Sequence, residues 1–449
     1  LVTGTGLGHP PAPGRRPLRL AIVGAGAHFT PGLLAGVARR PDLAGARVAL
    51  FDPDAARLEV TARWARRLSR ALEAPLAVEA IDSLADAVRG AHAVVTTVRQ
   101  GGGRAARLDL EVPARHGVEQ GVGDTVGPGG FAYALRQVPA FRHIVGTIEK
   151  ESPDAFVVNF SNPMTVIGRA IARTSRIRCV GLCDGIYGRR RWLARYLDVP
   201  EDELEVRHAG LNHLTWVTAL RRGREDLYPL LWRRAGEGGD GGEPISFQLA
   251  RTFGLFPSPG DRHVAEFFPY FHRPGAQGGR DYGLQTAADR VASLTARAEA
   301  YWRAFSAEAD GSVPLEERSP RETHDALAIV AYLTGASAHV PQVTVNAPNT
   351  HGLVPALPPT AVVEGVGSPG QEGGWRPVPG PQALPAGIAA GLRVRAEQQE
   401  LTVEAALSGD RRVALQALAA DPLIGSLEQA GAILEDLLRE QRDWLPQFN

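Results

Sequence analysis

A thiol and an imidazole thirty residues apart are the first chemistry this sequence offers. Cys183 stands in GLCDG (181–185), at the end of a short apolar run and directly before Asp184. His213 stands beside Asn212 in HAGLNHLTW (208–216). A thiolate and a neutral imidazole suit a borderline divalent ion, and two ligands leave positions open, as a catalytic site requires and a structural site does not. The competing reading is packing: a lone cysteine is most often a small buried hydrophobe, and a histidine close to a tryptophan a satisfied core residue. The other cysteine, Cys179, lies on the same run and is poorly placed to bridge Cys183. Together the two point to a reducing compartment rather than a disulfide framework.

A second constellation lies near the start. In LRLAIVGAGAHFTPGLL (18–34), an apolar run meets Gly24 and Gly26 and continues with helical spacing through Phe29, Thr30 and an early proline. Glycines at a strand–helix junction permit the tight turn and let backbone N–H groups approach a pyrophosphate at the helix N-terminus. The usual third glycine is absent, since His28 and Phe29 occupy its region. Asp52 ends the next apolar run, RVALFDPD, where a carboxylate accepts hydrogen bonds from a ribose diol and repels a 2′-phosphate. The expected cofactor is therefore NAD rather than NADP, with Gly24, Gly26, Phe29, Thr30 and Asp52 around it.

These residues need a frame, and strand–helix alternation supplies one. RVALF, AHAVVTTV, AFVVNF and RCVGL read as further strands, with helical segments such as TVIGRAIART between them. That is the pattern of an α/β fold, a Rossmann-like doubly wound parallel sheet. After about residue 190 the character changes. ELEVRHAGLNHLTWVTAL reads as strand with a break at Gly210, the segment from 365 to 385 as strand plus long loop, and Ala386 onward as helix. The expected division is a disordered N-terminal tail (1–17), an NAD-binding domain (18–190) and a larger mixed α+β catalytic and oligomerisation domain (191–449).

The 449 residues carry 49 basic and 49 acidic side chains, a net charge of zero. Nucleic-acid and membrane-surface binders show a basic excess, so neither partner is expected. No run approaches the roughly 18 apolar residues of a membrane helix, and the first residues lack the apolar stretch of a signal peptide. A cytoplasmic protein is the expectation.

With these motifs in view the chain resembles glycoside hydrolase family 4, the NAD- and divalent-metal-dependent glycosidases. The resemblance runs through IVGAGAHFTPGLL, the block from Val98 to Phe131, NFSNPM, GLCDG, GLNHL, DRHVAEFFPYF (261–271), VNAPNTHGLVPALPPTAVVE and LTVEAALSGDRRVALQALAADPL. It implies a fold related to the lactate and malate dehydrogenases, assembled as homodimers or homotetramers. It implies Cys183 and His213 as ligands of manganese or another divalent metal, Asn162 and Asn212 beside a small-molecule glycoside, and Arg99 near cofactor and sugar. Most glycosidases use two carboxylates, and the NAD-dependent group is an exception. The implied cycle is oxidation at sugar C3, loss of the acidified C2 proton, elimination of the C1 substituent, addition of water and return of the hydride. Asp184 is the implied acid. The family's base is commonly a tyrosine in the region of DRHVAEFFPYF, where this chain has Phe267; Tyr270 is the first substitute, with His263, Asp261 and Tyr282 in reach. Asp124 stands where the family often has a glutamate. The pattern from His263 to Phe267 resembles the branch acting on unphosphorylated hexosides or uronides. The alternatives are an NAD-dependent dehydrogenase or epimerase-like redox enzyme, and a non-catalytic NAD or sugar sensor.

Overall fold

The computed structural model describes residues 17–73, 76–272, 282–316, 318, 321–370, 374–378 and 384–449. All of the expected tail except residue 17 lies outside them. Thirteen strands form one sheet among the described residues. In chain order they are β1 (Arg19–Val23), β2 (Arg47–Phe51), β3 (Ala77–Ala80), β4 (Ala93–Thr96), β5 (Phe156–Asn159), β6 (Arg178–Gly181), β7 (Leu204–Leu211), β8 (Leu214–Arg222), β9 (Glu225–Asp226), β10 (Phe256–Ser258), β11 (Val343–Pro348), β12 (Val362–Pro369) and β13 (Trp375–Pro377).

One half of the sheet is parallel in the order β3-β2-β1-β4-β5-β6. That is the Rossmann order, whose reversal between β1 and β4 opens a crevice at the carboxyl ends of the strands. Helices α1 (Thr30–Arg39), α2 (Ala55–Ala71), α3 (Leu84–Val88), α4 (Gly102–Arg115), α5 (Gly127–Glu151) and α6 (Met164–Thr174) make the crossovers. Leu20 to Val23 and Ala93 to Val95 are buried without alternation, because helices cover both faces.

The other half is antiparallel, in the order β11-β12-β7-β8-β10, and joins the first where Asn346 pairs with Gly181. Residue 190, where the sequence changes character, lies inside helix α7 (Gly185–Leu197), and the antiparallel strands begin at Leu204. The break expected at Gly210 falls two residues later: Leu211 pairs with Leu214, and His213 makes the turn in a left-handed backbone (φ 63°). Gly210 stays inside the strand, because its φ of 158° and the closeness of Leu214 O, 2.3 Å from where a Cβ would stand, fit a glycine and no other residue. The stretch after 365 also carries more strand than expected, in β12 and β13.

The two halves share their core. Phe305 on helix Ala287–Asp310, Leu327 and Val330 on helix Arg321–Leu333, and Val345 on β11 pack with Leu20, Ile22 and Leu33 of the parallel half. The C-terminal helices (Ala386–Ser408, Arg411–Ala419, Leu427–Glu440) lay Val403, Leu434 and Leu437 against Val112 of α4, Leu135 and Val138 of α5, and Val166 of α6. They cover the parallel sheet's helical layer. Among the described residues no helix is long and apolar enough to cross a membrane.

Candidate active site

A cleft of about 1740 Å³ runs along the carboxyl ends of the parallel strands, from Gly24, Gly26 and Asp52 at one end to Cys183, His213 and His263 at the other. A single sugar pocket needs less; a dinucleotide and a sugar end to end need this much.

At the first end the turn after β1 is built for close backbone approach. A Cβ on Gly24 (φ 88°) would stand 2.6 Å from Thr97 O, and one on Gly26 2.9 Å from Asp52 Oδ2. Asp52 accepts from Gly26 N (2.7 Å) and from Asp54 N (2.9 Å), so the carboxylate that faces the cleft also holds the glycine turn. Burial pushes this carboxyl up, and the two N–H bonds oppose the shift. Phe29 packs at a tilt against Phe160 (ring centroids 4.9 Å apart) and lines the cleft. Thr30 is fully buried in the first turn of α1, its Oγ1 has no hydrogen-bond partner, and it is not on the cleft wall.

Loops after β4 and β5 form the middle. Arg99 lies over the Tyr133 ring (4.6 Å). Gln137 of α5 staples both loops, donating to Val98 O (2.9 Å) and Asn162 O (3.0 Å) and accepting from Gln100 N (2.9 Å). Asn162 lines the cleft, and its buried Oδ1 has no partner.

At the far end Cys183 Sγ lies 3.4 Å from His213 Nε2. A cation about 2.0–2.3 Å from each donor in tetrahedral geometry puts them roughly 3.5 Å apart, so the pair fits one ion. His213 Nδ1 lies 2.7 Å from Thr125 Oγ1, which in turn donates to Asp124 Oδ1 (2.9 Å). A hydroxyl that donates to the carboxylate accepts from the ring, so Nδ1 carries the proton and Nε2 keeps its lone pair toward Cys183. Burial lowers the His213 pKa, which keeps it neutral as a metal ligand must be. Among the described residues no cluster of three or more His, Cys, Asp or Glu side chains closes a metal sphere, so the remaining positions are open.

Around this pair stand groups able to move protons. Asp184 stands at the N-terminal end of α7 with no side-chain capping bond, exposed to the cleft, with Oδ1 4.0 Å from Cys183 Sγ. His263 brings Nδ1 to 3.2 Å from His213 Nδ1, and burial and His213 hold its pKa well below the ordinary value. Asp124 Oδ1 is 3.9 Å from His213 Nδ1.

Two residues proposed from sequence, Tyr270 and Asn212, stand elsewhere, as does Phe267, at the position of the family's tyrosine. Tyr270 is 66% exposed, stacks on Phe268 and does not line the cleft. Phe267 packs in a hydrophobic cluster with Trp216 and Val264. Asn212 is fully buried behind Cys183 and donates to Glu364 Oε2 (2.6 Å), away from the cleft wall. Tyr282, by contrast, is on the wall.

Sequence reasoning also missed residues that shape the site. Buried Glu266 accepts from Val122 N (2.8 Å), Gly123 N (3.2 Å) and Gln120 Nε2 (3.2 Å), and so holds the loop carrying Asp124 and Thr125. Asp261 caps helix Pro244–Phe253 through Ile245 N (2.8 Å) and Ser246 N (2.7 Å), placing His263 two residues on. Glu266 carries no signal in the DRHVAEFF stretch, whereas Asp261 and His263 there are candidates from the sequence, and both line the cleft. Arg290, 8% exposed, lines the cleft.

Fold and site together define a Rossmann-type enzyme with a cysteine–histidine pair at the far end of its dinucleotide cleft. The model of the family 4 glycosyl hydrolases matches residues 19–199, and that of their C-terminal domain residues 208–424. An α-galacturonidase of Thermoanaerobacterium saccharolyticum is 30% identical over 82% of this chain and 83% of its own. An α-galactosidase of Bacillus subtilis is 28% identical over 96% and 99%. A 6-phospho-α-glucosidase from gut microorganisms, solved with NAD and Mn2+, superposes with a TM-score of 0.82 at 20% identity, covering 97% of this chain and all of the other. The chain belongs to glycosyl hydrolase family 4.

Proposed function

We propose that this chain is an NAD- and divalent-metal-dependent glycosidase that cleaves a hexoside or hexuronoside by transient C3 oxidation, C2 deprotonation, elimination and water addition. The observation that carries it is the Cys183–His213 pair, 3.4 Å apart at the end of a glycine-turn cleft. Gly24, Gly26 and Asp52 would hold NAD, which would supply hydride chemistry at C3, and Cys183 and His213 would hold a divalent ion such as manganese, which would supply Lewis acidity at the C3 oxygen. The chain's own residues divide the protons between two sides of His213. Asp184, exposed on one side, gives a proton to the departing C1 oxygen. Asp124 and His263, on the other, are the groups placed to take the C2 proton, the role first sought at Tyr270. Asn162, with its free Oδ1, accepts from a sugar hydroxyl.

The cleft wall favours a hexuronoside. Arg290 makes no ion pair among the described residues, its Nε is buried without a partner, and burial, then the Arg262 charge, lowers its pKa to about 10. Arg297 and Arg99 add further positive charge, and Asp124 is the carboxylate that opposes it. A buried guanidinium among like charges is relieved by an anion, and a uronate carboxylate supplies one. The relatives named as α-galacturonidase and α-galactosidase support an α-linked substrate.

A panel of nitrophenyl hexosides, hexuronides and 6-phosphohexosides, assayed with NAD and manganese and with each withheld, tests the reading. Nitrophenol release that requires both, fastest on a uronide and without NADH accumulation, is expected. Steady NADH formation without nitrophenol would place the chain among dehydrogenases instead.

A further inference from the structure

Helix Ala287–Asp310 is buried at its two ends and nowhere between them. Ala287 and Arg290 are buried at one end, and Phe305, Glu308 and Ala309 at the other, where Phe305 packs on Trp64 of α2. The span between them turns one stripe toward the ligand cleft: Arg290, Leu294, Arg297, Tyr301 and Trp302, three or four residues apart, all line it. At the Trp302 end the stripe meets α2. Arg57, in the first turn of α2, lays its stem against the glycine turn, since a Cβ on Gly26 would stand 2.9 Å from Arg57 Cβ and 3.2 Å from Arg57 Cδ. Its Nε pairs with Asp54 Oδ2 at 3.2 Å, and its guanidinium carbon stands over the Trp302 indole, 4.9 Å from the ring centroid. Tyr301 and Phe305 meet the same indole edge-on, each at 5.7 Å, and fix its plane. Arg57 is therefore held by its stem, its Nε and its guanidinium, yet the side chain stays half-exposed and lines the cleft beside Asp52 and Pro53.

A dinucleotide whose pyrophosphate lies on the glycine turn and whose ribose diol lies on Asp52 carries its adenine past Asp52, to the first turn of α2. A purine is flat. A guanidinium is planar, cationic and weakly hydrated, so it stacks on π-faces in a way that a lysine ammonium does not. Resting on the NAD reading of this cleft, we infer that Arg57 is the plate on which the adenine of the cofactor stacks, and that Trp302, from the later half of the chain, is the positioning residue that holds the plate in place.

ADP-ribose carries the adenosine end of the cofactor and nicotinamide mononucleotide the other end, and calorimetry on the full chain measures each. Arg57→Met keeps the stem against Gly26 and removes the plate. It is expected to weaken ADP-ribose and NAD about 5- to 100-fold and to leave nicotinamide mononucleotide unchanged. Arg57→Lys keeps the charge without the plane and is expected to bind like Arg57→Met. Trp302→Leu keeps an apolar contact for Phe305 and is expected to weaken ADP-ribose by a smaller factor, with no further loss when added to Arg57→Met, as action through one residue requires. Wild-type ADP-ribose affinity in Arg57→Met overturns the inference, and wild-type affinity in Arg57→Lys overturns it by assigning the effect to charge. An equal loss of nicotinamide mononucleotide in Arg57→Met overturns it as well, because the glycine turn itself would then have moved. A Trp302→Leu loss that persists in full in the double variant removes Trp302 from the inference. Should Trp302→Leu fail to fold, the two Arg57 variants, at a half-exposed position, decide alone. Wild type that binds neither ADP-ribose nor NAD overturns the cofactor reading on which the inference rests.

Discussion

Cys183 and His213 differ in how their surroundings prepare them. His213 is held by a relay through the Thr125 hydroxyl to Asp124, and its left-handed backbone is the turn between two strands. That conformation is uncommon for a residue with a Cβ and persists where the surroundings impose it. Thr125→Val removes the Nδ1 partner and keeps the shape. It is expected to lower metal affinity by about 10- to 100-fold, measured by manganese titration of the metal-free protein, with NAD affinity unchanged. Cys183→Ser should abolish metal-dependent turnover and leave NAD binding intact; full activity in chelator would remove the metal from the mechanism. Cys179, on β6 four residues before Cys183, shows the other fate of a thiol: burial pushes it up to about 12, and it packs against the cluster of Val157 and Ile177 as an inert small hydrophobe. Arg290→Leu is expected to raise KM for a uronide about 10- to 100-fold, the loss of one charge-assisted contact of roughly 1.5–3 kcal/mol. A neutral hexoside should be nearly unaffected, and an equal rise on both would deny Arg290 a role in specificity.

At the scale of elements, short loops carry the chemistry and carboxylates behind them hold the loops. Glu266 receives two backbone N–H groups and a glutamine amide from the segment 120–123. Glu266→Gln would turn an amide toward donors and leave buried N–H groups unmatched, at about 1–3 kcal/mol. The expected outcome is lower kcat and reduced thermal stability together, since Asp124 and Thr125 ride on that segment. A variant with wild-type kcat would show that the loop holds its place without this carboxylate. Asp261 plays a comparable part for His263, and its own carboxyl, buried beside Glu243, is pushed up to about 7.

For the whole molecule, the dinucleotide half does not own its core. Leu327, from helix Arg321–Leu333, reaches α1 so closely that a Cβ on Gly36 would stand 2.4 Å from its Cδ1. Phe305 packs on Trp64 of α2. Leu327→Ala is expected to cost roughly 2–5 kcal/mol, read by thermal unfolding. NAD affinity should fall with it, because α1 presents its N-terminus to the cleft. Unchanged NAD affinity in a destabilised variant would show that the glycine turn keeps its shape independently of this support. The C-terminal helices are tied in by a buried pair, Arg136 with Asp109 at 2.7 Å, to which Gln441 Nε2 adds a bond at 3.0 Å.

What was legible from residues alone follows from locality. The glycine turn, Asp52 and the alternation of strands and helices are short-range patterns whose physics is complete within a few tens of residues: a turn that only glycine allows, a run buried on both faces. Cys183 and His213 have side chains suited to a metal, but a thiol on an apolar run and a histidine near a tryptophan read equally well as packing, and only the resemblance to the family singled them out as ligands. Tertiary structure alone decided the rest. It turned Asn212 from the cleft to Glu364, 152 positions along the chain, and put Tyr270 at the surface. It also gave Glu266 and Arg290 their places beside residues far from them in sequence. A buried carboxylate or an unpaired guanidinium looks like any other in a linear chain, because what distinguishes it is the dielectric and the partners around it, and those exist only once distant strands have met.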